Sequence, residues 1–302
     1  MTHRRTPTLI TLAASLLIAA APAGADSLET PVAQGANLAS SAGWQAWSTT
    51  LAHDTHRLQL RRPDGTVITP PIPSFRVPVD AAIGTRGGDD GINTPASRRL
   101  SAVYSRCAGS SVKGCDVYAL DLTTLREEKV AALASKAYSE TAPSVTFGNY
   151  SFVRRGSGAL RGTYAYSERG GLKRLSPMLA LETATSISRM AFTYNSAKGF
   201  GVQIHQASGK GRPLVAASGL DTAPISPQIT RYRAGWLIPG DDATRVFQTR
   251  RFAGSGGPFA LKVEEAPRTL PAGVRSASGD ASTLFERYLG ADGVQRIDPG
   301  IR

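Results

Sequence analysis

The chain has 302 residues, 41% of them hydrophobic, 19% charged, with a formal net charge of +12 and only two cysteines. That length buries a sizeable core in one large domain or two smaller ones. The positive charge is spread thinly from Arg57 to Arg302, with no basic cluster interleaved with aromatics, so the composition gives no support to nucleic-acid binding and favours anionic partners or simple solubility.

The amino terminus has the three parts of a cleavable export signal. Arg4 and Arg5 provide the charged start, Leu9 to Ala21 the apolar run, and Ala23-Gly24-Ala25 the small-residue cleavage site. The run is shorter than the roughly 20 apolar residues of a membrane-spanning helix, and no second long run follows. We therefore expect residues 1–25 to be removed. The mature domain, 26–302, would carry a net charge of +10, span no membrane, and work in the periplasm or outside the cell.

Beyond the signal, short apolar runs alternate with turns. Trp44-Gln45-Ala46-Trp47-Ser48 and Arg57-Leu58-Gln59-Leu60 flank a turn, and Pro63-Asp64-Gly65-Thr66 leads into Val67-Ile68. Next come Leu100 to Tyr104 and Asp116 to Leu122, then Tyr150 to Val153, Gly162 to Tyr166, Met190 to Tyr194 and Phe200 to His205. Runs of this length, rich in Val, Ile, Tyr and Phe and bounded by turn formers, predict strands. Towards the end the spacing loosens, although Val246-Phe247, Phe259-Ala260-Leu261 and Leu284 to Tyr288 still read as strands.

Cys107 and Cys115 flank a loop of turn formers between two such runs. In an oxidising compartment they should pair, and closing so short a loop contributes roughly 2–3 kcal/mol on the chain-entropy account.

The runs repeat. Glu140-Thr141-Ala142-Pro143-Ser144-Val145 recurs as Glu182-Thr183-Ala184-Thr185-Ser186-Ile187 and as Asp221-Thr222-Ala223-Pro224-Ile225-Ser226, with a weaker copy at Asn93-Thr94-Pro95-Ala96-Ser97. Three to four strands per roughly 40 residues is the pattern of a β-propeller blade. The mature length predicts an all-β propeller of six blades, and five or seven also fit.

One blade carries a family resemblance. Thr94-Pro95-Ala96-Ser97-Arg98-Arg99-Leu100-Ser101-Ala102-Val103-Tyr104-Ser105, followed by Asp116 to Leu122, resembles the turn-and-strand motif of TolB-type, WD40-like β-propellers, with Ala96-Ser97 where that family has Asp-Gly. The resemblance implies a propeller that acts as a binding scaffold.

Signals of chemistry are sparse. Glu140, Glu182 and Asp221 open the three repeats, and in a radial fold equivalent positions gather at the channel mouth, where acids would hold a cation. Equally, acid and Thr side chains bond the backbone in turns. His53-Asp54-Thr55-His56, Asp89-Asp90 and Asp241-Asp242 lack the spacing of a metal site, so no metal or cofactor is expected. Ser110 and Lys113 stand in Ser-x-x-Lys spacing but inside the cysteine loop, and no nucleophile elbow or phosphate loop is present. Trp44, Trp47, Trp236, Tyr164 and Tyr166 suit either a ligand platform or packing between blades. The sequence thus favours a secreted, non-enzymatic binding module that engages a protein or an anionic envelope polymer. Its rivals are a hydrolase or lyase using Glu140 and Glu182 as acid and base, and an adhesin for anionic wall polymer.

Overall fold

The computed structural model describes residues 37–52, 55–87, 99–109, 113–240, 245–253, 260–270, 276–279, 284, 287–289 and 295–297. The expected export signal, His53-Asp54, Asp89-Asp90, Ser110 and Asp241-Asp242 lie outside them. The described residues form strands and turns only. No helix among them is long and apolar enough to cross a membrane.

Each blade is an antiparallel meander. The first comprises β1 (Ala39–Ser41), β2 (Trp44–Thr50), β3 (His56–Arg61) and β4 (Val67–Ile68). The second comprises β5 (Ala82–Arg86), β6 (Arg99–Cys107), β7 (Cys115–Asp121) and β8 (Glu127–Lys129). The third is β9 (Ser139–Thr146), β10 (Asn149–Arg155), β11 (Gly162–Ser167) and β12 (Gly171–Ser176), and the fourth β13 (Ala180–Thr185), β14 (Arg189–Ser196), β15 (Gly199–Gln206) and β16 (Leu214–Leu220). The fifth has β17 (Ile225–Ile229), β18 (Arg233–Pro239), β19 (Arg245–Phe252) and β20 (Leu261–Glu264), with β21 (Arg268–Leu270) also paired to β19. A three-stranded sheet of β22 (Ser276–Ser278), β23 (Arg287–Leu289) and β24 (Gln295–Ile297) stands between the fifth blade and the first. The propeller expected from the repeats is therefore present, with five full blades and this shorter sheet closing the ring.

Second strands are covered on both faces by neighbouring blades, so they are buried nearly without interruption. β10 is buried from Tyr150 to Arg154, and β6 from Ser101 to Ser105. Outer strands cover one face only and alternate. β12 points Leu172 and Arg174 outward, while β8 is the charged triplet Glu127-Glu128-Lys129, a composition that discourages edge-to-edge association.

The core is divided among the blade interfaces. Leu58, Leu60, Phe75 and Tyr104 pack between blades one and two, and Val103, Val145, Tyr150 and Phe152 between two and three. Val153, Phe192 and Tyr194 fill the next gap, and Ile204, Ile229, Trp236 and Phe252 the one after. Trp47 and Trp236 are fully buried, as is nearly all of Tyr164, which stacks on Phe152, so these aromatics serve packing. Truncating side chains of this size to Ala typically costs about 3–5 kcal/mol.

Cys107 and Cys115 face each other across the β6–β7 hairpin and are joined by a disulfide, as their spacing predicts.

Candidate functional site: the central channel

The first strands of all six sheets, with the residues just before them, line a central cavity of about 180 Å³. Its walls mix small hydroxyl side chains, such as Ser40, Thr85, Ser144 and Thr183, with apolar ones, such as Leu38, Ile83 and Ile229. Two ionisable side chains line it among the described residues, Asp80 and Glu182, both acids. Both ionisable residues of the lining are thus acidic, within a chain of net charge +12.

A shared backbone device positions these acids. In β9, Ser144 pairs with Ser151 and Thr141 with Val153, so Ala142-Pro143 bulge opposite one residue of β10. In β13, Leu181-Glu182 occupy the same place between the pairs Ala180–Tyr194 and Thr183–Phe192. In β17 it is Ser226-Pro227, between Ile225–Leu237 and Gln228–Gly235. Bulges re-aim side chains and tolerate Pro inside a sheet. Ala142 and Ser226 adopt left-handed backbone at φ 50° and 49°, a conformation costing L residues about 1–2 kcal/mol. In each case an acid of the preceding blade accepts the exposed N–H.

Asp80 makes the first of these clamps. One oxygen accepts the Ala142 N–H at 2.7 Å and the Ser105 hydroxyl at 2.9 Å, and the other accepts the Ser105 N–H at 2.8 Å. Burial raises its pKa and these bonds oppose the rise. Arg155, held by Thr141 Oγ1 at 2.9 Å and the Ala180 carbonyl at 3.1 Å, is near enough to feel the Asp80 charge.

Glu182 makes the second. Its Oε2 accepts the Ser226 N–H at 2.7 Å, while its own N–H donates to Thr193 Oγ1 at 3.2 Å. Burial pushes its carboxyl up to about 7, the Ser226 bond opposes this, and the Asp80 charge adds to the rise.

Hydroxyl groups perform the same joining elsewhere. Thr183 Oγ1 donates to the Ala142 carbonyl at 2.7 Å, and Thr146 Oγ1 to the Thr185 carbonyl at 2.8 Å. Ring closure rests on Leu38 N–H to Ser276 Oγ at 3.1 Å and on the Ser40–Ser278 hydroxyl pair at 2.6 Å.

The three repeat acids do not occupy equivalent corners, which corrects the sequence expectation. Glu182 lines the channel as the second bulge residue of β13. Glu140 lies two residues before the bulge of β9, fully buried and away from the cavity, and accepts Arg154 Nε at 3.2 Å. Burial pushes its carboxyl up to about 7 against the pull of Arg154. Asp221 is exposed in the turn after β16. Glu140 and Glu182 are thus not brought together as an acid–base pair. Asp80, missed in the sequence, had a signal of the right kind: an acid directly before the apolar run Ala81-Ala82-Ile83. Among the described residues no group of three or more His, Cys, Asp and Glu could hold a metal ion, and His56 simply opens β3.

No family model and no curated protein matches the chain by sequence. Among solved structures, it is similar to TolB from Acinetobacter baumannii, with a TM-score of 0.53 at 14% identity over 85% of this chain and 64% of that one. The fold is a TolB-like β-propeller. The chain spans just under two thirds of that TolB. It is also similar to an Arg-to-Ala triple mutant of AofleA from Arthrobotrys oligospora, with a TM-score of 0.54 at 12% identity over 90% of this chain and 80% of that one. At such identities the likeness concerns the TolB-like fold and does not extend to ligands.

Proposed function

We propose that this protein is an exported, non-enzymatic binding module whose central channel receives a cationic group, an ammonium or guanidinium, from a small ligand or a partner protein. The observation that carries this reading is the charge balance at Glu182. Its carboxyl faces a cavity lined by no Lys, Arg or His among the described residues, and the neighbouring charge acting on it is Asp80, of the same sign. A cation would relieve both the burial cost and the repulsion. The cavity has room for roughly six water molecules or one small headgroup. The disulfide and the signal-like first 25 residues support a periplasmic or extracellular setting.

A hydrolase or lyase reading has less support. Acid–base chemistry at this pair would need two carboxyls with free oxygens, and both oxygens of Asp80 already accept protein donors.

The test is calorimetric titration with agmatine, which carries a guanidinium and an ammonium group, against an uncharged diol of equal length. Agmatine should bind and the diol should not. Affinity should rise between about pH 6 and about pH 8 as Glu182 ionises, and Glu182→Gln should abolish both the binding and its pH dependence. Equal binding of diol and agmatine, or agmatine binding unaffected by Glu182→Gln, would overturn the reading.

A further inference from the structure

A second cavity, of about 540 Å³, opens between blades three and four on the face that carries the β9–β10 and β11–β12 turns. Its chemistry is the inverse of the channel. Three cations line it, Arg169, Lys173 and Arg189, and no acid does. The turn Arg169-Gly170-Gly171 forms one wall and Ile187-Ser188-Arg189 another, with Gln206 and Ser208 beside them.

The walls are tied across the blade junction. Lys173 Nζ donates to the Ser208 carbonyl at 2.9 Å, which uses one of its three hydrogens, and Asn149 Nδ2 donates to the Ile187 carbonyl at 3.3 Å. Arg189 reaches the groove with its stem only: its guanidinium donates through Nη1 to the Arg231 carbonyl and lies 4.1 Å over the Phe252 ring, both in blade five, so it is held toward the next junction. Burial and the nearby Arg231 charge both act against the charge on Arg189. Arg169 and Lys173, on one turn, therefore supply the charged donors of a recess of ligand size.

We infer that this inter-blade groove is an oxyanion site that binds a phosphate or sulfate ester on a small polyhydroxylated ligand. Guanidinium and ammonium groups match the ester oxygens in charge and geometry. Ser188, Gln206 and Ser208 supply partners for hydroxyls, and the exposed Ile187 offers an apolar edge. This site is separate from the channel and stands whether or not the channel binds cations.

The test is titration of the full chain with glycerol 3-phosphate and with galactose 6-sulfate, and with glycerol and galactose as neutral controls. At least one ester should bind and the neutral compounds should not; which ester binds more tightly tells the phosphate source from the sulfate one. Binding should weaken steeply when salt is raised to about 0.5 M. Arg169→Gln combined with Lys173→Gln, both at the surface and with Gln able to keep a donor toward Ser208, should weaken binding by about tenfold. Lys198→Gln, on the β14–β15 turn of the opposite face, should leave it unchanged. No binding of either ester, or equal affinity in the Arg169→Gln/Lys173→Gln protein, would overturn the inference.

Discussion

The junction between blades two and three and that between blades four and five use one device to different ends. At both, an acid on the innermost strand or just before it accepts the N–H of a left-handed bulge residue on the next blade. Asp80 is engaged on both oxygens, taking three protein donors, with Arg155 within electrostatic reach. Glu182 takes one donor described here, on Oε2, and feels another negative charge. The comparison separates an acid that joins blades from an acid that also presents charge to a cavity. A raised carboxyl pKa does not by itself mark a functional group: Glu140, also pushed up to about 7, sits in the core beside Arg154.

The two-three junction should be the more fragile. Gly84 of β5 passes so near β9 that an added Cβ would lie 1.8 Å from the Val145 carbonyl oxygen. Since the obstacle is backbone, Gly84→Ala must push the blades apart, with an expected loss of about 3 kcal/mol or more in chemical denaturation. Stability within about 0.5 kcal/mol of the native chain would show that the junction is not tightly fitted.

Asp80→Ala comes next. It strips the Ser105 and Ala142 N–H groups of their acceptor at the blade junction, for an expected loss of about 2–3 kcal/mol. If Glu182→Ala cost as much, the distinction between joining and presenting acids would fail.

The smallest effect belongs to Glu182→Gln, which keeps an acceptor for Ser226 and mimics the protonated carboxyl, so it should change stability by less than about 1 kcal/mol at about pH 4.5 and below. Its signature is in pH dependence. A carboxyl near 7 in the folded protein and near 4.5 in the unfolded chain leaves the folded state holding more protons between those values. Stability therefore falls as pH rises across that window and levels off above it. Glu140 contributes a fall of the same sign over the same range. Glu182→Gln should thus reduce the slope without removing it, and an unchanged slope would mean that Glu182 is not buried as described.

Much of the fold was legible in the sequence because blade strands are short, apolar and separated by turn residues, from Trp44–Ser48 in β2 to Phe200–His205 in β15. The disulfide was legible from cysteine spacing and turn chemistry alone. Register was not. Matching Glu140-Thr141-Ala142 to Glu182-Thr183-Ala184 aligns letters, whereas the backbone aligns Ala142-Pro143 with Leu181-Glu182 and Ser226-Pro227. The bulge adds a residue to β9, β13 and β17 and the connections between blades differ in length, so Glu140 and Glu182 fall three positions apart on the shared backbone frame. The role of Asp80 was hidden for a related reason: its partner Ala142 lies 62 residues away, and nothing local in either segment announces the bond. The short sheet β22–β24 fits the loosened spacing of the last strands, where the repeat could no longer be followed.

The most direct test of the channel as a cation receptor is a crystal structure of the protein soaked with agmatine at about pH 8, where Glu182 is ionised. The account expects a guanidinium or ammonium group seated in the channel against the Glu182 carboxylate, with the bonds from Ser105 and Ala142 to Asp80 intact. Agmatine held only elsewhere on the molecule, or a channel without it at saturating concentration, would contradict the account.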